Sequence, residues 1–138
     1  MYLVDTNIVS ELRRAKSARV NQGVLAWSKS VSTPSLFLSV ITILELEKGV
    51  LGLARRDPAQ AALLRRWLDG NVLAAFSGRI LAIDTAVARR RGMLHVPDPR
   101  PDRDALIAAT ALIHDMTVVT RNVADFQPLG VETLNPWE

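Results

Sequence analysis

At 138 residues, 49% of them apolar, the chain has the size and composition of one domain with one core, residues 1–138. Its charge is modestly basic, 17 Lys+Arg against 14 Asp+Glu for a net +3, which favours a polyanionic partner without requiring one. The absence of cysteine excludes a disulfide framework and a thiol nucleophile, and no apolar run approaches the roughly 18 residues that span a bilayer.

Tyr2-Leu3-Val4 reads as a first strand ending at Asp5. It lacks a basic flank and meets an acid at once, so it does not read as a secretory signal, and a cytoplasmic protein is expected. Ile8 and Leu12, then Val24, Leu25 and Trp27, continue as helices, and Leu36-Phe37-Leu38 is a second short strand. One helix is expected from about Thr42 to Arg56. Another runs from Pro58, a favoured first helical position, to near Phe76, with Leu63, Leu64, Trp67 and Leu68 on one stripe. Ile80 to Ile83 is a third strand, and Asp84 caps a helix carrying Ala88, Arg89 and Gly92. The loop Pro97-Asp98-Pro99-Arg100-Pro101 breaks regular structure. Ile107, Ala108, Ala111 and Leu112 then have helical spacing, and Thr117 to Val119 and Val131 to Leu134 supply the fourth and fifth strands. Short strands alternating with helices predict a layered α/β domain with a mainly parallel five-stranded sheet.

In an open parallel sheet ligands bind outside the carboxyl ends of the strands, which singles out Asp5 and Thr120-Arg121-Asn122. Glu45 on the first long helix and Asp104 opening a late one complete a set of carboxylates that can converge on one cation. Each acid has a local explanation too. Asp5 can cap the helix that follows it. Thr42 to Glu45 has capping-box spacing, and helical periodicity does not separate Glu45 from Glu47. Asp104 sits where a helix dipole favours an acid.

Several motifs taken in order resemble the PIN-domain ribonucleases of the VapC and FitB type, the toxin halves of toxin–antitoxin pairs. They are Leu3-Val4-Asp5-Thr6-Asn7, Ser39 through Thr42 leading to Glu45-Leu46 and Gly49, and Gly78-Arg79-Ile80-Leu81. Asp104 through Ala111, Thr120-Arg121-Asn122 with Asp125-Phe126, and Asn135-Pro136-Trp137 follow. The resemblance runs the whole chain. It implies a three-layer α/β/α fold, catalytic and metal-binding roles for Asp5, Glu45 (rather than Glu47) and Asp104, dependence on Mg²⁺ or Mn²⁺, and a homodimer. It also implies an RNA substrate and an inhibiting antitoxin of the VapB or FitA type, with a higher assembly on operator DNA. Where some members carry an acid after the Thr-Arg pair, this chain has Asn122, with Asp125 three residues on as the nearest carboxylate.

Three carboxylates about 5 Å apart at an effective dielectric near 20 repel by roughly 3 kcal/mol per pair, ~10 kcal/mol in all. A domain of this size is stable by only about 5–15 kcal/mol. Such a cluster must therefore hold a cation or a proton. On the nuclease reading, Asp5 and Asp104 are direct ligands, and Glu45 is a water-mediated ligand or a base. Thr6, Asn7 and Thr120 orient carboxylates or water, Asn122 and Asp125 support the site, and Arg79 and Arg121 position phosphate. Setting the three acids aside leaves 11 against 17 basic residues, an excess of six positive charges facing a polyanion. Two other readings are a noncatalytic PIN domain that binds RNA or protein, and a receiver or phosphohydrolase domain. A receiver is disfavoured by the lack of a Lys after the later strands.

Overall fold

β1 (Tyr2–Val4) is the middle of the sheet, and both of its neighbours run parallel to it. Tyr2 and Leu3 are in register with Leu36 and Phe37 of β2 (Leu36–Ser39) on one side, and Tyr2, Leu3 and Val4 with Thr117, Val118 and Val119 of β4 (Thr117–Val119) on the other. In the computed structural model, which describes residues 1–138, β3 (Ile80–Leu81) and β5 (Thr133–Leu134) form the edges, giving the order β3-β2-β1-β4-β5. Every pairing is parallel, so the mainly parallel sheet expected from sequence is wholly parallel.

Successive residues of a strand face opposite sides, and the core divides accordingly. Val4, Leu38 and Val119 bury one face under Ile8 and Val9 of α1 (Thr6–Leu12), Val24 of α2 (Gln22–Ser30), and Leu46 and Val50 of α3 (Val40–Ala54). Leu3 and Val118 bury the other under Ile107, Ala108 and Ala111 of α7 (Asp102–His114), with Phe126 of α8 (Val123–Phe126). α6 (Thr85–Met93) packs on α7. The result is the expected three-layer α/β/α arrangement.

Element boundaries differ from the sequence reading where tertiary contacts decide them. α3 begins at Val40, with Ser39 as its cap accepting the Ile41 N–H at 3.0 Å, so Thr42 is a buried residue inside the helix and not a capping-box residue. The single helix expected from Pro58 to Phe76 is α4 (Pro58–Trp67), one π turn (Leu68–Val72) and a last short turn, α5 (Leu73–Ala75). Leu68 and Val72, four residues apart, both enter the core while Asp69, Gly70 and Asn71 stay exposed. β3 stops at Leu81 because only Ile80 and Leu81 meet a neighbour in β2. Trp27 and Trp67 are half-buried against the first core face, Trp27 meeting the Tyr2 ring edge-on at 5.5 Å.

Leu38 is fully buried in the strand between β1 and β3. Replacing it by alanine should cost about 2–5 kcal/mol, read as a lower urea midpoint at unchanged slope.

Candidate active site

The chain winds from β1 outward to β2 and β3, then crosses back to β4 and β5, so the direction of winding reverses between β1 and β4. Residues leaving the carboxyl ends of these two strands border a crevice that no crossover fills. Asp5 leaves β1 and Thr120 leaves β4.

Asp5 has a fully buried side chain, and each oxygen is satisfied. Oδ1 accepts the Thr6 N–H at 2.7 Å, so Asp5 does cap α1, and it also accepts Arg103 Nη2 at 2.7 Å. Oδ2 accepts the buried Thr120 hydroxyl at 2.8 Å. The cap and the charged cluster are one residue. Thr6 Oγ1 lies 2.6 Å from Glu45 Oε1 and 3.0 Å from the Thr42 hydroxyl. With one proton to give, Thr6 donates to the carboxylate. Asn7 spans the strand ends more loosely, its amide 3.5 Å from Thr120 Oγ1 and its oxygen accepting the Arg121 N–H at 3.4 Å.

The three acids meet around Arg103. Its Nε donates to Glu45 Oε2 at 2.7 Å, Nη1 to Asp104 Oδ1 at 2.8 Å, and Nη2 to both Asp5 Oδ1 at 2.7 Å and Glu45 Oε1 at 2.8 Å. The hydrogen bonds it donates to Glu45, Asp5 and Asp104 oppose the effect of burial and push the guanidinium's pKa further above its ordinary value. Burial disfavours the charged form of Glu45, yet the hydrogen bonds from Arg103 and Thr6 and the Arg103 charge together hold its carboxyl below the usual range. Sequence reasoning missed this role of Arg103. Its only local signal is its place between Asp102 and Asp104.

Glu47 lies two residues from Glu45, about 200° around the helix, and faces α4, where both of its oxygens take Arg65 N–H groups. That ion pair, first through its hydrogen bond, holds the Glu47 carboxyl below its ordinary value. The geometry thus separates two acids that periodicity left equivalent.

Asp104 owes its place to a second arginine that sequence reasoning did not single out as a positioning group. Arg91 of α6 donates to Asp102 Oδ1 from Nε at 3.1 Å and from Nη2 at 2.8 Å, and to the Arg100 carbonyl at 2.8 Å, with His95 Nδ1 3.2 Å away. This clamp pins the proline-rich loop and the first turn of α7.

An open, largely polar cavity of about 730 Å³ lies over the cluster, and Thr6, Asn7, Glu45, Arg103 and Asp104 form its floor and near wall. Ser10, Glu11, Arg14, Arg121, Asn122, Asp125 and Trp137 line it as well, with the Arg121 guanidinium 5.2 Å from the centre of the Trp137 ring. Asn122 and Asp125 are exposed, and the Asn122 N–H is held by Thr120 Oγ1 at 3.0 Å. Arg79 is elsewhere. It donates to the carbonyls of Thr33, Leu36 and Ala75 and lies over the Phe76 ring, so its fork is used within the scaffold and is not offered to phosphate in this cavity.

The donor set is hard oxygen throughout, carboxylate and hydroxyl, which is the chemistry Mg²⁺ and Mn²⁺ take. A guanidinium already stands among these oxygens as a cation. As the side chains lie, no three acids or histidines are close enough to one another to hold an ion.

A doubly wound parallel sheet that gathers acids from a strand end and two helices around one cation, beneath an open polar cleft, defines a class of α/β domain built to work at the carboxyl edge of its sheet. The chain belongs to the PIN-domain family, which matches residues 2–127. It is 34% identical to the VapC ribonuclease Y4jK of Sinorhizobium fredii, covering 100% of this chain and 99% of that protein. It is 36% identical to toxin FitB of Neisseria gonorrhoeae, covering 99% of each. Among solved structures, FitAcB from Neisseria gonorrhoeae superposes with a TM-score of 0.90 at 34% identity over 100% of this chain and 99% of that one. FitAB bound to an IR36 DNA fragment superposes with a TM-score of 0.89 at 34% identity, over 100% and 96%.

Thr120→Val keeps the shape of the side chain but strips Asp5 Oδ2 and the Asn122 N–H of their partner. It should cost about 1–3 kcal/mol, measured as a fall in unfolding free energy that Ser at the same position largely restores. Glu47→Gln should melt below the parent at neutral pH. Because the folded carboxyl titrates below its ordinary value of 4.5, its stabilisation is present above that value and is lost as pH falls through the folded one. The gap between the two melting curves should therefore close on acidification.

Proposed function

We propose that the chain is a metal-dependent endoribonuclease, the toxin component of a toxin–antitoxin pair, which hydrolyses RNA phosphodiester bonds. The observation that carries this reading is that Asp5, Glu45 and Asp104 all converge on the Arg103 guanidinium beside an open polar cleft. Relatives that align over the full chain are named as a ribonuclease and a toxin, which supports the same reading.

Asp5, Asp104 and Glu45 would hold Mg²⁺, with Mn²⁺ able to substitute. Such an ion lowers the pKa of bound water and polarises a phosphoryl oxygen when present. The chain's own residues do the rest. Thr120 and the Thr6 N–H hold the two oxygens of Asp5 in a fixed orientation. Thr6 orients Glu45, which lies at the cavity wall and is placed to take a proton from an attacking water. Arg121, free on the opposite side, is placed to hold a phosphate, and Trp137 beside it offers an aromatic face to a base. Asn122, a neutral amide, and Asp125, an exposed carboxylate, border the cleft as supporting groups. One tightly held ion is expected, because Asn122 brings no charge to a second.

An antitoxin of the VapB or FitA type is the proposed inhibitor, since relatives were solved in FitAB complexes, one of them on DNA. A homodimer belongs to the same reading. Leu44 and Leu51 of α3 and Leu63 of α4 are exposed apolar side chains on two helices packed together. No helix is long and apolar enough to cross a membrane.

One observation favours the noncatalytic alternative: the acids are already neutralised in part by Arg103. Incubation with single-stranded and structured RNA separates the two. Cleavage should require Mg²⁺ or Mn²⁺, stop with EDTA, and fall by about 10²-fold or more in Asp5→Asn and Asp104→Asn. RNA binding with no metal-dependent turnover would support the alternative. Asp125→Asn should lose less activity than Asp104→Asn.

A further inference from the structure

The geometry points to Arg103 as a built-in competitor of the metal: guanidinium and divalent ion are mutually exclusive occupants of the Asp5, Glu45 and Asp104 cluster, and metal enters only when Arg103 swings into the cleft. This rests on the metal-dependent reading above and adds the regulation of that site.

Arg103 makes four charge-assisted hydrogen bonds, at 2.7 to 2.8 Å, with oxygens of all three acids. It bonds to all three acids at once, and with the fork in place no three of them are close enough to share an ion. A divalent ion needs oxygens on several sides at about 2.0–2.1 Å. With the guanidinium nitrogens seated among them, those oxygens cannot close to that distance around an ion, and two cations in one cluster would repel.

The side chain also has somewhere to go. A third of it is exposed, and it lines the open cavity together with Arg14 and Arg121. Its Cα is fixed by the first turn of α7, which the Arg91 clamp holds, so release is a rotation of the side chain alone. Once released, the guanidinium stands in the cleft where an RNA phosphate would lie, and phosphate is the ligand its fork suits. Phosphate capture of Arg103 and metal capture of the acids therefore favour each other. Apparent metal affinity falls in proportion to the fraction of molecules with the site open, so a side chain that is open in about a tenth of molecules weakens the metal about tenfold.

The test is Mn²⁺ and Mg²⁺ titration by calorimetry of the full chain without RNA, comparing parent, Arg103→Gln and Arg103→Lys. Arg103→Gln should bind metal about tenfold tighter than the parent or better. It should also melt lower in EDTA and recover more on adding Mg²⁺, because three acids are left without their counter-ion. Arg103→Lys, which keeps the charge without the fork, should fall between. Equal metal affinity in parent and Arg103→Gln, with only the EDTA melting point lowered, would make Arg103 purely structural and overturn the proposal while leaving the metal site intact. No binding in any of the three proteins would overturn both. A measurement on the parent alone guards against misfolded variants. The Arg103 Nε–H resonance should be protected from exchange in EDTA and lose that protection as Mg²⁺ is added, and protection persisting at saturating Mg²⁺ would refute the exclusion. Adding inorganic phosphate should tighten Mn²⁺ binding to the parent and leave Arg103→Gln unmoved; an equal effect on both would rule out the coupling to phosphate.

Discussion

Three like charges held in one place are the constraint to which the rest of this molecule answers. Their mutual repulsion, if unanswered, is comparable with the whole stability of a domain of this size. The protein distributes the answer. Thr120 and the start of α1 take Asp5, Thr6 takes part of Glu45, the positive end of α7 favours Asp104, and Arg103 supplies a full charge to all three. None of these groups is spare, and the acid at the end of the central strand is held on both of its oxygens.

The same accounting changes how the basic excess should be read. Arg79, Arg91 and Arg103 are each engaged within the fold, on carbonyls, on the loop before α7 and on the acid cluster. Arg65 is engaged with Glu47. A guanidinium is well suited to such work, since its rigid fork can satisfy several acceptors at once. Of the arginines that a sequence marks as suited to phosphate, Arg121 is the one lining the cleft with its fork over an aromatic ring and no carboxylate. Net charge is therefore a poor measure of what this surface offers a polyanion, and the local composition of one crevice is a better one.

The layered sheet was legible because β1 and β4 are short apolar runs ended by polar residues, and because helical stripes separate them. Asp5 was legible as both a cap and a ligand, and the structure makes it a cap and a member of the cluster without conflict. What could not be read was direction. Glu45 and Glu47 differ by which side of α3 meets α4, and Arg65, 18 residues beyond Glu47, decides it. Arg103 sits beside Asp104 in sequence, yet its reach to Asp5 depends on where α7 is set down against β1. Each is a property of packing between elements, which spacing within an element does not encode.

The hydrogen bond from Thr120 to Asp5 joins residues 115 positions apart, and β1 pairs with β4 across a comparable span. The central strand therefore leaves the ribosome long before one of its two neighbours exists. Until β4 emerges, Asp5 lacks its buried donor and one flank of its strand, and Asp104 has only just been made. Contacts of such high sequence separation form late and slowly, so a nascent chain carries its acids apart from one another for most of its synthesis. Assembly of the cleft is then a closing event in translation, and fragments that end before Thr120 are expected to be inert.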